Sequence, residues 1–424
     1  VVGSLPKALA SLGIEVAVAL PNYAVLGDNP PRTLPGSNEP IYYLGSASDY
    51  PDSIYPRGEG EYKRFAIFCR QVINFLDTRT FEPHVIHCHD YHTSLIPDIL
   101  HERKEKMATV LTIHDAGNVG RANESMLIDA DLNPTFLRVL DFGLKDSHLD
   151  MLVQGILSAD LINTVSPTYA KEIFSREFSG ELADLLKARE ARVSGILNGI
   201  DTDFYDPHKD NFLTQNFGVT DAAIAKKANK TKLQDKLGLK VDPEVPLYAI
   251  VTRLVERKGL DLIIKNIPSI LESEAQLTIL GKGEPNYEDA LKRFSKDFPK
   301  SLAFINAFDE PLSHRIYAGS DFFLVPSRTE PCGLTQMIAM RYGSLPIVHR
   351  IGGLADTVED EVTGFVFNEY NPESFLEAFN RSLKIYSQRH PETEGDVFGA
   401  MIGKAMSKDF SWKTSATAYV KLYE

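Results

Sequence analysis

The sequence predicts an α/β protein built from two Rossmann-like domains, each a parallel sheet covered by helices. Three observations predict it. At 424 residues the chain exceeds what one ordinary core holds. Apolar strands alternate with helix-period segments twice along its length, and a polar stretch at residues 203–245 separates the two series.

In the first series the expected order begins with strand Glu15–Leu20, helix Phe65–Leu76, strand Val85–Cys88 and helix Ser94–Arg103. Strands Thr109–His114 and Asp160–Thr164 follow, then a helix capped by Ser166 with Pro167 in its first turn. The lysine-rich run from Lys226 to Lys240 reads as a solvated face within an exposed region that follows a hinge. The second series runs through strand Leu247–Val251, helix Leu260–Leu271, strands Gln276–Leu280 and Leu302–Ala307, and helix Leu312–Ala318. Strand Phe322–Val325, a helix from Gly333 and strand Leu345–Val348 complete it. Domain limits fall at 1–200 and 201–406, with 407–424 expected as a terminal helix crossing back to the first domain. Ligands of such sheets sit at the carboxyl ends of strands, so the cleft between the domains is the expected site.

Composition excludes several classes. Apolar content of 43% and charged content of 24% are those of a globular protein, and no run of 18 apolar residues marks a membrane span. Net charge is −13, from 45 Lys and Arg against 58 Asp and Glu, which argues against nucleic acid and an anionic membrane as partners. Cys69, Cys88 and Cys332 form no CxxC pattern, which fits packing roles in a reducing, cytoplasmic setting. An anionic ligand then needs a local pocket of positive charge.

Two strand ends supply one. After Phe322–Val325 comes Pro326-Ser327-Arg328-Thr329-Glu330-Pro331-Cys332-Gly333-Leu334-Thr335, an acid and a turn leading into a helix start whose free N–H groups suit a diphosphate. After Leu247–Val251 come Arg253 and Lys258, a forked donor and a point charge five residues apart; the alternative is a solvated basic turn. Glu330, held extended by the following proline, either contacts sugar hydroxyls and developing positive charge or merely complements a helix dipole. His87-Cys88-His89-Asp90-Tyr91-His92 clusters histidines without a metal spacing, so Asp90 and His92 better suit a sugar or acceptor pocket. His114 is either an interior histidine or a sugar contact, Phe308 either a core aromatic or a base-stacking ring, and Asn198 a turn residue that can line the cleft. Gly281-Lys282-Gly283 is a weak loop signal.

Taken together, the segments His87–Pro97, Thr112–Asp115, Asn163–Ile173, Gly195–Pro207, Thr252–Ile263, Pro326–Gly343 and Gly352–Val358 resemble the bacterial-type starch and glycogen synthases, retaining glycosyltransferases of GT-B architecture. The resemblance spans nearly the whole chain. It implies transfer of glucose from ADP-glucose to the non-reducing end of an α-1,4-glucan, without metal or other cofactor. It implies that Arg253 and Lys258 bind the diphosphate, that Glu330 meets the glucosyl unit, and that Cys332, Gly333, Leu334 and Thr335 supply donor contacts at the helix start. His114, Asp90, His92 and Asn198 would surround the donor sugar, and Phe308 falls where the family sets an aromatic ring against adenine. His114 would belong with Arg253, Lys258 and Glu330 to the catalytic set.

The family's Lys-Gly-Gly-Leu-Gly-Asp loop is expected immediately before Val1, so a chain beginning at Val1 is expected to lack its first strand and to be inactive or impaired. Asp115-Ala116-Gly117-Asn118 stands where the family has Asn and a Tyr-Gln pair, and Ile338 occupies the place of a second Glu found in related glucosyltransferases. The alternatives are another retaining GT-B transferase using a UDP-sugar, and a glucan-binding protein without catalysis.

Overall fold

A computed structural model describes residues 1–50, 59–123, 125–132, 148–389 and 396–424. The chain divides into two units, Val1–Gly199 with Trp412–Glu424, and Ile200–Ser411. The terminal helix, Trp412–Tyr423, starts five residues beyond 407 because 407–411 belong to the second unit, where the Ile200 N–H donates to the Phe410 carbonyl at 2.8 Å.

The first unit contains a four-stranded parallel sheet ordered Val85–His89, Ala108–Ile113, Leu161–Thr164, Val193–Gly195. Consecutive strands are neighbours, so the sheet grows in one direction. Ser166 caps the helix Pro167–Glu172 as its sequence implies, accepting from the Tyr169 N–H at 3.1 Å. The first expected strand is shorter than read: Val18–Pro21 pairs with Ile41–Leu44 in a separate two-stranded sheet. The segment read as one helix from Ser94 to Arg103 is Ile96–Glu102, preceded by the short turn of helix Asp90–Thr93.

The second unit holds six parallel strands ordered Leu302–Ile305, Gln276–Leu280, Leu247–Val251, Phe322–Val325, Leu345–His349, Phe365–Phe367. Strands after Leu247–Val251 are added on one side, and the chain then returns to add Phe322–Val325 on the other. The order therefore reverses between Leu247–Val251 and Phe322–Val325, and a reversal of this kind opens a crevice at the carboxyl ends of the two strands. Near-continuous burial along five of the six strands, with only the edge strand Leu302–Ile305 partly open, fits a sheet covered on both faces.

The lysine run is not a solvated face throughout. Helix Ala222–Leu237 packs against Glu310–Gly319, and its Lys226 and Lys230 are only 5% and 2% exposed. Lys226 Nζ donates to the carbonyls of Ala318, Ser320 and Tyr342 at 2.8–3.0 Å, and burial lowers its ammonium to about 7. Lys230 Nζ donates to Asp321 Oδ2 at 2.6 Å, and the same oxygen accepts the Leu247 N–H at 2.8 Å, fixing the start of the central strand. Lysines one helical turn apart share a face, so these two point inward while Lys227 and Lys232 reach solvent.

Among the described residues no helix is long and apolar enough to cross a membrane. Lys230→Met leaves the buried Asp321 carboxylate unpaired and is expected to cost about 3–5 kcal/mol in urea unfolding. Lys227→Met, which breaks an exposed pair with Glu244, is expected to cost under about 1 kcal/mol.

Candidate functional site

The strand-end loops of the second unit meet around a cavity of about 210 Å³ lined by Thr252, Arg253, Lys258, Ser327, Glu330, Gly333, Leu334 and Thr335, with Ile250, Val251, Leu324 and Val325 as its apolar floor. The two loops are locked together by backbone. Arg328 N–H donates to the Arg257 carbonyl at 2.9 Å, and Gly259, at φ 76°, lies where a Cβ would strike the Pro326 carbonyl oxygen. Only glycine permits both that conformation and that approach.

Glu330 is the hub of the cavity. It is 8% exposed, and its Oε2 accepts from Lys258 Nζ at 2.5 Å and from Ser327 Oγ at 2.9 Å. Its backbone is clamped from the far side: Gly353 N–H donates to the Glu330 carbonyl at 3.1 Å, and a Cβ on Gly353 would strike the Cys332 carbonyl oxygen. The Gly352-Gly353 pair thus sets the height of the Glu330 turn. Among the described residues nothing pairs with the Arg253 guanidinium, which is exposed at the cavity wall. An ammonium has three donors, so Lys258 can hold Glu330 and still offer hydrogen bonds to an anion.

Three expected contacts stand differently. The helix read from Gly333 begins at Thr335, because Gly333 adopts φ 72° and makes the preceding turn. Cys332 is buried and does not line the cavity; its carbonyl accepts from Gln336 Nε2 at 3.2 Å. Phe308 is 95% exposed, which excludes a core role, and it lies outside the cavity lining. Ser327 was given no role by its sequence, although it sits in the strand-end motif; only the fold shows its hydroxyl aimed at Glu330.

The remaining candidates lie in the first unit. Asp90 adopts φ 52°, uncommon for a residue with a Cβ, and its Oδ1 accepts the His114 N–H at 2.7 Å. His114 Nε2 lies 3.0 Å from His89 Nδ1. His92 stacks on Tyr91 at 3.9 Å and meets the edge of Phe65. Asn198 is 8% exposed, and its Oδ1 has no partner among the described residues. A buried amide oxygen without a donor costs about 1–3 kcal/mol, so the position is favoured by a ligand that supplies one. Among the described residues no group of three or more His, Cys, Asp or Glu is placed to hold a metal ion.

Four histidines of this unit, His87, His89, His92 and His114, are held neutral. Desolvation lowers His87 to about 3 and His92 and His114 to about 4, and holds His89 well below the ordinary 6.5. Neutral rings contribute full stability above pH 6.5 and lose it as pH falls toward 4, and toward 3 for His87. Asp90 acts oppositely: burial raises its carboxyl to about 7, so acid favours its folded form. Four rings outweigh one carboxyl. Urea unfolding of the first unit is therefore expected to show a lower midpoint at pH 5 than at pH 7, and His89→Asn should flatten the difference.

Comparison with known proteins agrees with the geometry. Residues 1–188 match the family described as "Starch synthase catalytic domain", and residues 229–393 that described as "Glycosyl transferases group 1". The "Glycogen synthase" of Geotalea daltonii is 37% identical over 462 residues, covering 100% of this chain and 94% of the relative. That of Lactococcus lactis subsp. lactis is 41% identical over 402 residues, covering 91% and 80%. Among solved structures, the catalytic domain of Starch Synthase IV from Arabidopsis thaliana, bound to ADP and acarbose, superposes with a TM-score of 0.88 at 30% identity, covering 100% of this chain and 94% of that one. With two parallel α/β units and this likeness, the chain is a GT-B glycosyltransferase and belongs to the glycogen and starch synthase family.

Proposed function

We propose that the chain transfers glucose from ADP-glucose to the non-reducing end of an α-1,4-glucan with retention of configuration. The observation that carries the reading is the cavity at the strand-order reversal, where an unpaired guanidinium and an ammonium with spare donors meet beside a buried carboxylate. A departing ADP gains negative charge as the anomeric carbon becomes cationic. Arg253 and Lys258 stabilise that gain more than they stabilise the bound donor, which is what lowers a barrier.

Glu330 then serves as a fixed negative group for the glucosyl unit. Its carboxylate is held by Lys258 and Ser327 at one oxygen, Oε2. Thr335, Leu334 and Gly333 offer backbone N–H groups at the cavity wall to the phosphates. We assign His114, Asp90, His92 and Asn198 to the hexosyl group. Neutral imidazoles suit this role, since they donate to a hydroxyl without adding charge beside a cationic carbon. The acceptor 4-hydroxyl arrives on the face from which ADP leaves, so configuration is retained. Proximity and electrostatics supply the acceleration in this reading, with no covalent intermediate and no metal invoked. A cytoplasmic setting goes with the buried cysteines Cys69, Cys88 and Cys332, none of which is in a disulfide.

The near-complete exposure of Phe308 supports assigning it to adenine stacking, since a ring outside the core gives up no packing there. Assays of the full-length protein test the reading. With glycogen present, ADP release from ADP-glucose is expected to exceed UDP release from UDP-glucose; the reverse order supports a UDP-sugar transferase, and glucan binding without either release supports a non-catalytic protein. Lys258→Ala should lower turnover by about a hundredfold or more, and unchanged turnover removes Lys258 from the mechanism. Phe308→Ala should raise KM for ADP-glucose by about tenfold, the scale of one lost base stack, while leaving the melting temperature unmoved.

A further inference from the structure

The last helix does more in the first unit than bury an apolar face. Trp412, Ala416 and Tyr419 pack with Leu5, Leu9 and Ile196, a contact for which phenylalanine would serve as well as tyrosine. Yet two hydroxyls of this helix reach polar groups of the sheet. Tyr419 OH accepts from Asn163 Nδ2 at 2.9 Å, and Tyr423 OH lies 2.7 Å from His87 Nδ1.

His87 is thereby held at both ring nitrogens, since its Nε2 lies 2.6 Å from Thr112 Oγ1. Asn163 Nδ2 also donates to Thr112 Oγ1, at 3.2 Å, which steadies that hydroxyl. A ring bonded at both edges cannot turn about its own axis without losing both bonds. His89 stacks on it with centroids 4.4 Å apart and planes 26° from parallel, and His114 continues the pile at 5.2 Å and 29°. His89 Nδ1 and His114 Nε2 share one hydrogen bond, so one ring must donate and the other accept. His87, bonded at both ring edges, is the fixed end of this pile, and His114 is the other end.

We propose that Tyr423 is a positioning residue for His114, acting through His87 and His89. The phenol fixes the plane of His87, the stack passes that plane to His89, and the shared hydrogen bond sets the orientation and tautomer that His114 presents. The consequence for turnover rests on the assignment of His114 to the donor sugar; the coupling itself does not.

Tyr423→Phe keeps the ring and removes the hydroxyl. In this variant the side-chain ¹⁵N resonances of His114 are expected to move together with those of His87, while amide exchange across Trp412–Tyr423 stays slow. In the full-length protein, kcat should fall by about tenfold, with KM for ADP-glucose changed by less than about twofold, the pattern of a misplaced group that acts in the transition state. Resonances of His114 that stay in place while those of His87 move overturn the proposal. Resonances that move with kcat unchanged establish the coupling and instead remove His114 from the reaction. Should Tyr423→Phe loosen the helix, Thr112→Val releases the other edge of His87 from within the sheet, and the same displacement of the His114 signals is expected.

Discussion

The ion pair between Lys258 and Glu330 is the interaction on which the geometry of the second unit's cavity, and with it the proposed chemistry, depends. It joins the loops that leave two adjacent strands, Leu247–Val251 and Phe322–Val325, where the strand order turns back. A carboxylate this deeply placed needs a cation and a hydroxyl, and it finds them in Lys258 and Ser327. The glycines explain why the pair has its geometry. Gly259 lets one loop close on Pro326, and Gly353 lets the next helix close on the Glu330 turn. In a chain of net charge −13, Lys258 and the adjacent Arg253 concentrate positive charge at one cavity, and a diphosphate is the kind of ligand that such a concentration selects.

The two units treat charge in opposite ways. In the second, buried ammonium groups stay near acceptors: Lys226 faces three carbonyls and Lys230 faces Asp321. In the first, desolvation strips the charge from His87, His89 and His114, which then associate with one another by stacking and hydrogen bonding. In the proposed reaction the exposed Arg253 and the cavity-lining Lys258, not these buried lysines, meet the leaving group, and the neutral rings surround the sugar without repelling a cationic carbon.

Much of this was legible in the sequence, for a definable reason. Arg253, Lys258, Glu330, Gly333, Leu334 and Thr335 sit in two contiguous strand-end segments, and strand-to-turn junctions announce themselves locally by apolar runs broken at Pro and Gly. What stayed hidden depends on distance along the chain. Tyr423 and His87 are separated by 336 positions, and nothing local to either marks the bond between them. Lys226 and Lys230 look like any lysines of a polar helix until the partner helix is in place. The edge strand Phe365–Phe367 is three residues long, too short for its periodicity to register. Phe308 was open between core and ligand because an aromatic residue's type does not state its exposure.

A crystal structure of the chain with ADP tests the central claim most directly. Diphosphate oxygens are expected within about 3 Å of both Lys258 Nζ and the Arg253 guanidinium, with the Glu330 carboxylate still on Lys258. A diphosphate seated away from the Leu247–Val251 and Phe322–Val325 strand ends, with Arg253 left in solvent, would contradict it.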